Sequence, residues 1–258
     1  MTAPKATRAK RTRDASAAPA SAAVRNAGGV RFVAYLQAMA SEIKAVRNSE
    51  KTKLRLMISA LNLLEQVGFR ELNLDEVVGD ASLAKGTFYI HFPSKEDFLI
   101  ELATRYLEFE QATIPLRPPA ASPFAQLREW LGWYERTFEL NVGIIRCIVQ
   151  MAEVSSEMRS LWHRRNGTMV DRVLAGWYPA RGGVTPELAR LSLRLAGGML
   201  DQSLFERYKV QLGPGREEPE DPALLSELHV LLAYRAIYGA NPPEEELELT
   251  KPLLGWPG

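Results

Sequence analysis

Between Thr52 and Leu99 the chain alternates short apolar stripes with turn-forming residues, at a spacing that predicts four helices in close succession. Leu56, Ala60, Leu63, Leu64 and Val67 form one face of an amphipathic helix. Gly68 follows, where a left-handed C-terminal cap belongs. Asn73 is placed to cap a second helix with Glu76 reciprocating three residues on, and Leu74, Val77 and Val78 give that helix an apolar face. After a break through Gly79, Asp80, Ala81 and Ser82, the run Leu83 to Tyr89 predicts a third helix, too short to fold alone and held by the other two. This is the outline of a helix-turn-helix. Ser94 with Asp97 then marks the start of a fourth helix.

Upstream, Phe32, Val33, Leu36, Met39, Ala40, Ile43 and Val46 recur at helical spacing, so residues 30–48 form an additional amphipathic helix. Its stripe is buried either across helices of its own subunit or against a second subunit. Downstream there is no strand-like alternation, only helices broken by Pro and Gly. One runs from Lys95 to Ala112 and stops before Pro115, Pro118 and Pro119. Others run from Ser122-Pro123 to Leu140, from Asn141 to Met151 and from Ser155 to Trp177. Thr185-Pro186 and Asp221-Pro222 open the last two, each an N-cap followed by proline. The fold class is all-α.

A chain of 258 residues can bury a full core in one or two domains. Its net charge of +1 conceals an asymmetry: residues 1–55 carry 12 Lys and Arg against 3 Asp and Glu, or +9, and the remainder 20 against 28, or −8. A basic end suits a polyanionic partner. Residues 1–29 lack large apolar groups and are expected to be a flexible basic arm. There Lys5, Arg8, Lys10, Arg11 and Arg13 either track phosphates or form a solubilising tail. The single Cys147 forms no intramolecular disulfide, no run of about 18 apolar residues offers a membrane span, and no signal-peptide core is visible, so a cytoplasmic protein is expected. His91, His163 and His229 lack metal-binding spacing, and no nucleophile elbow, P-loop or dinucleotide fingerprint occurs. No metal, cofactor or enzymatic activity is therefore expected. Glu244-Glu245-Glu246 reads as part of a solvated tail, residues 241–258.

The third helix carries Lys85, Gly86, Thr87, Tyr89 and His91, small, basic and hydroxyl-bearing groups that donate to phosphates and base edges. Phe88 and Phe92 fit a core better than a contact surface. Lys95 lies in the first turn of the next helix, where a cation opposes the helix dipole unless an anion such as a DNA phosphate lies nearby. Gly68-Phe69, Asp75-Glu76-Val77-Val78, Lys85-Gly86-Thr87-Phe88-Tyr89-Ile90-His91-Phe92 and Ser94-Lys95-Glu96 together resemble the signature of the TetR family of bacterial repressors, over about a fifth of the chain. One departure stands out, because the usual Ala-Gly-Val-Ser before the third helix is here Ala81-Ser82-Leu83-Ala84.

The resemblance implies an all-α homodimer, with a small helix-turn-helix domain (residues 49–96) and a larger ligand-binding and dimerisation domain (residues 97–240). Its DNA-contacting set would be Thr52, Asn73, Lys85, Gly86, Thr87, Tyr89, His91 and Lys95. It also implies a small-molecule pocket in the helices between Ser122 and Trp177. Trp130, Trp133, Tyr134, Phe138, Met151, Trp162 and Met169 are candidate apolar lining there, and Arg146, Gln150 and His163 candidate polar anchors. Their bulk favours a hydrophobic effector, although each residue also suits an ordinary core. Leu188, Leu191, Leu195, Gly198 and Met199 with Leu224, Leu228, Leu231 and Tyr238 supply apolar surface either for a two-fold four-helix bundle or for an intrachain core. The leading expectation is a repressor of double-stranded operator DNA released by a small effector. The other is an all-α enzyme or carrier whose N-terminal helices contact only protein.

Overall fold

In a computed structural model, which describes residues 31–42, 48–115, 122–177, 185–208 and 221–255, the local start and stop signals are largely realised. The helices are α1 Phe32–Glu42, α2 Asn48–Leu64, α3 Leu74–Asp80, α4 Lys85–His91, α5 Lys95–Thr113, α6 Pro123–Glu139, α7 Val142–Ala152, α8 Ser156–Trp177, α9 Pro186–Arg207 and α10 Pro222–Tyr238. Short 3-10 turns follow at Glu244–Glu246 and Lys251–Gly255, and no strand occurs among the described residues. Ser122, Thr185 and Asp221 accept from the amides of Ala125, Leu188 and Ala223 at 3.0, 3.3 and 2.9 Å, each with proline just inside the helix. Such a cap stabilises a helix by about 1 kcal/mol. The expected basic arm, and Ile43 and Val46 of the additional helix, lie outside the described residues.

Three local expectations are corrected. Gly68 is not a left-handed cap, since among the described residues only Ser82 and Gly239 have positive φ. Helix α2 ends instead under a side chain: Arg146 of α7 donates to the carbonyls of Leu64 (2.8 Å), Glu65 and Val67 (3.4 Å each). Asn73 does cap α3, accepting from the Asp75 amide at 2.9 Å; the cap runs two residues on, and the bond that would make Glu76 reciprocate does not form. The third helix runs from Lys85 to His91, two residues later than Leu83 to Tyr89.

That shift follows from the turn. The Leu83 amide bonds the Val78 carbonyl (2.8 Å) and the Ser82 amide bonds the Gly79 carbonyl (2.9 Å), the paired bonds of a Schellman motif with Ser82 in its left-handed position. Ser82 takes φ 52°, where glycine would be unstrained. Arg55 of α2 holds the turn by donating to the Ala81 carbonyl. Ala84, at the N-cap of α4, offers no side-chain bond. Ser82→Gly should therefore raise stability by roughly 1 kcal/mol by relieving strain, and Ala84→Ser by roughly 0.5–2 kcal/mol through a new hydroxyl bond to a first-turn amide of α4. Urea unfolding of both variants checks this, and a loss on Ser82→Gly would contradict the strain.

One apolar core joins α1 to α5, α7 and parts of α6, α8 and α9, and crosses from the helix-turn-helix into the C-terminal helices through Phe98, Leu99, Leu102 and Tyr106 of α5. The additional helix α1 is buried within its own chain, against α2 and α5. Phe32 and Leu36 are fully enclosed, and the Phe32 ring sits 5.5 Å from Tyr106 and 5.3 Å from Phe109. A second core gathers α6, α8, α9, α10 and Leu247. Leu231 and Tyr238, expected at a dimer interface, belong to it, because they lie on the side of α10 that faces Phe124, Leu127 and Leu131. The residues after α10 are not a solvated tail. Leu247 and Thr250 are buried, and Ser122 donates to Glu246 Oε2 at 2.7 Å. Glu227 accepts from the amides of Glu248, Leu249 and Thr250 and from the Thr250 hydroxyl.

Candidate nucleic-acid interface and internal cavity

Helix α4 is seated by Phe88 and Phe92, one turn apart and buried against Phe98 at ring distances of 5.4 and 4.9 Å. Those two anchors fix what the other face presents. Gly86 and Ile90, one turn apart, lie at the centre of the exposed side, flanked by Tyr89 (52 % exposed) and the half-buried Thr87. Ile90 is 80 % exposed and was not anticipated, because isoleucine at helical spacing reads as core. A Cβ added at Gly86 would meet nothing within 4 Å, so the fold itself does not require glycine there. Lys85 pairs with Asp75 of α3 at 2.7 Å, both more than half exposed, and the hydrogen bond and charge of Asp75 raise its pKa. Its ammonium is free to exchange that partner for a phosphate.

The remaining expected contacts are less forward. His91 is half-buried, with Nδ1 3.5 Å from the Ser49 hydroxyl. Thr52 is half-buried on α2, and Asn73 is occupied as the α3 cap. Lys95 turns towards the Arg70 carbonyl (3.5 Å), and partial burial lowers its pKa.

A cavity of about 590 Å³ opens between α6, α8 and α9, one helix beyond the expected region. Trp130, Tyr134, His163 and Met169 line it as expected. Trp133, Phe138, Arg146, Gln150, Met151 and Trp162 do not. Helix α7 is drawn to α2 instead, where Gln150 accepts from the Phe69 amide (3.4 Å) beside Arg146, while Met151 enters the first core. Phe138 stacks between Phe205 and Tyr208. Trp162 lies under the Arg165 guanidinium at 4.7 Å.

Charge in the cavity wall was not foreseen. Arg165 is buried and makes a two-pronged bond to the buried Glu110 of α5, at 2.8 and 2.5 Å. It also donates to the Tyr134 hydroxyl and to Asn166 Oδ1, and Tyr134 donates to Asp201 of α9. Burial pushes the carboxyl of Asp201 above the usual carboxylate range, against the pull of Arg165. Burial also raises the Tyr134 phenol well above its ordinary value. One signal was available: Glu110 falls on the buried stripe of α5, seven residues after Ala103 and four after Tyr106, and a carboxylate there needs a partner. A separate row, Glu135–His229–Ser203, joins α6, α10 and α9 through bonds of 2.7 and 3.0 Å. Ser203 does not line the cavity, so the row ties helices together. Burial pushes the Cys147 thiol up to about 12, which leaves it inert.

A helix-turn-helix with a polar, cation-led recognition helix, set on an all-α domain that contains a cavity, defines a DNA-binding regulatory protein. Residues 56–102 match the model described as bacterial regulatory proteins, tetR family. The chain is 28 % identical over 207 residues to the HTH-type transcriptional regulator EthR of Mycobacterium tuberculosis, spanning 75 % of this chain and 90 % of that relative. It is 25 % identical over 112 residues to EthR of Mycolicibacterium smegmatis, covering 42 % and 50 % of the two. Over 59 residues it is 37 % identical to the uncharacterized HTH-type transcriptional regulator YuxN of Bacillus subtilis, covering 23 % and 20 %. Residues 56–102 thus carry a helix-turn-helix similar to that of the tetR family, and the chain is a DNA-binding transcriptional regulator. No helix among the described residues is long and apolar enough to cross a membrane.

Proposed function

We propose that this protein represses transcription as a homodimer on operator DNA and is released when a small molecule enters the cavity between α6, α8 and α9. The observation that carries this reading is the face of α4. Gly86, Tyr89 and Ile90 are presented outward with no internal role that demands them, beside Lys85, whose exposed pairing with Asp75 leaves it positioned for exchange. Lys85 and Tyr89 suit phosphates, while Ile90 suits a thymine methyl in the major groove.

Dimerisation is supported by an apolar stripe that the single chain leaves in solvent. Leu188, Leu191, Leu195 and Met199 of α9 are each more than half exposed, with Gly198 beside them, and Leu224 and Leu232 of α10 continue the patch. Leu228 is half-buried at its edge. Pairing this face with its two-fold mate would place two α4 helices in successive major grooves, roughly 34–36 Å apart. The effector must bind the DNA-free spacing more tightly than the bound one, since only differential affinity shifts such an equilibrium.

Alanine at Lys85 or at Tyr89 should each weaken operator binding by about 1–3 kcal/mol, roughly 5- to 150-fold, with the dimer intact by sedimentation. Gel-shift titration measures it. Undiminished binding by the double variant would remove α4 from the interface.

A further inference from the structure

We infer that the cavity between α6, α8 and α9 is built for an amphipathic organic cation, an amine on a hydrophobic body, whose ammonium pairs with Asp201 against the aromatic wall of Trp130 and Tyr134. This rests on the reading of that cavity as the effector site.

The charge balance of the wall carries the inference. Arg165 pairs directly with Glu110 and meets Asp201 only through the Tyr134 hydroxyl, so Asp201 has no cation of its own bonded to it among the described residues. Arg165 spends its donors on Glu110, the Tyr134 hydroxyl and Asn166, so an anionic ligand would find none left at depth. Asp201 receives a single hydrogen bond, from Tyr134 to Oδ1, and no described residue donates to its second oxygen. It lines the cavity and is only partly covered. An ammonium placed there would supply the missing positive charge in a setting where a charge-assisted bond is stronger than in water.

The rest of the lining fits the body of such a ligand. Trp130 lies parallel to Tyr134, with ring centroids 5.9 Å apart and planes 4° from each other; the Arg165 guanidinium already covers Tyr134 at 5.3 Å, and the half-buried Trp130 offers the π face that favours a ligand cation. Met169, Val170, Leu193 and Leu200 provide the apolar remainder, and the volume is that of a drug-sized site. Of the other cations in the lining, Arg190 is already paired with Asp171, and Arg194 is exposed, where water and salt screen it.

The test uses three probes on one carbon frame, phenylbutylamine, phenylbutanol and phenylbutyrate, titrated calorimetrically into the full-length protein. The amine should bind about tenfold or more tightly than the alcohol, and the acid most weakly. Asp201→Asn, which retains an acceptor for Tyr134, should bring the amine down to the level of the alcohol and leave the alcohol within about threefold of its original affinity. Arg194→Ala should strengthen amine binding and weaken that of the acid, and it decides the matter if Asp201→Asn proves unstable. An acid that matches the amine, or an amine preference that survives Asp201→Asn, overturns the cation assignment while the effector reading stands. Failure of all three probes to bind overturns both.

Discussion

Replacing Glu110 by leucine is expected to cost the fold roughly 3–5 kcal/mol, and Arg165→Met a similar amount, whereas the two substitutions together should cost far less. Both side chains are almost wholly removed from solvent, with 1 % and 4 % of their surface exposed. Removing one partner leaves an uncompensated charge where water cannot reach it. Removing both leaves two apolar side chains in a region already lined by Tyr106 and Tyr134. Urea unfolding of the four species forms a complete double-mutant cycle. A coupling energy near zero would mean that the pair is looser in solution than the bonds of 2.5 and 2.8 Å describe.

The pH dependence separates the two single variants. Without Arg165, Asp201 loses the cation that pulls against its burial, and its carboxyl rises further above the usual range. A carboxyl raised in the folded state holds protons that the unfolded chain has released, so its contribution is present below the unfolded pKa and lost as pH rises through the folded one. The deficit of Arg165→Met should therefore widen as pH rises above about 4, while that of Glu110→Leu should not.

The second large effect is expected at Gly143. A Cβ there would lie 2.6 Å from the Leu64 carbonyl oxygen and 2.9 Å from the Glu65 amide nitrogen, both backbone atoms that cannot swing aside. Gly143→Ala should destabilise the protein by roughly 1–3 kcal/mol, as overpacking does, by forcing α7 away from the end of α2. The loss extends beyond one contact because α7 joins the helix-turn-helix to the C-terminal helices. Arg146 caps α2 from it, Gln150 holds the Phe69 amide, and Asn141 at its start accepts from the Phe32 amide of α1 at 2.8 Å. Gly132→Ala on α6, where nothing lies within 4 Å of an added Cβ, should instead be neutral or gain up to about 1 kcal/mol from helix propensity. Thermal melts of the two variants side by side check the contrast, and an unchanged Gly143→Ala protein would show that α7 is not packed on α2 in solution.

The helix count and nearly every boundary downstream of Lys95 were legible in the chain, because an N-cap such as Ser122 or Asp221 and the proline behind it act within three residues of each other. The order Lys85 to Phe92 was legible for the same reason, as a short run in which Phe88 and Phe92 face inward while Lys85, Gly86 and Tyr89 face outward. The missing glycine before that run marked the turn, and the structure answers it with a left-handed Ser82 braced by Arg55.

What the sequence could not assign were partners distant along the chain. Arg146 and Gln150 have the chemistry of ligand anchors, yet they serve α2 and the Phe69 turn, 82 and 81 residues away. Leu231 and Leu232 are adjacent and equally apolar, but one enters the second core and the other faces solvent. Periodicity states that a helix has an apolar face. Only the packing of the other helices decides which neighbour covers it, because burial is a property of two surfaces. The sequence by itself determined a DNA-reading helical protein, through signals that are local and backbone-driven. The tertiary structure alone decided where its cavity lies and that a surplus carboxylate, Asp201, stands in the wall.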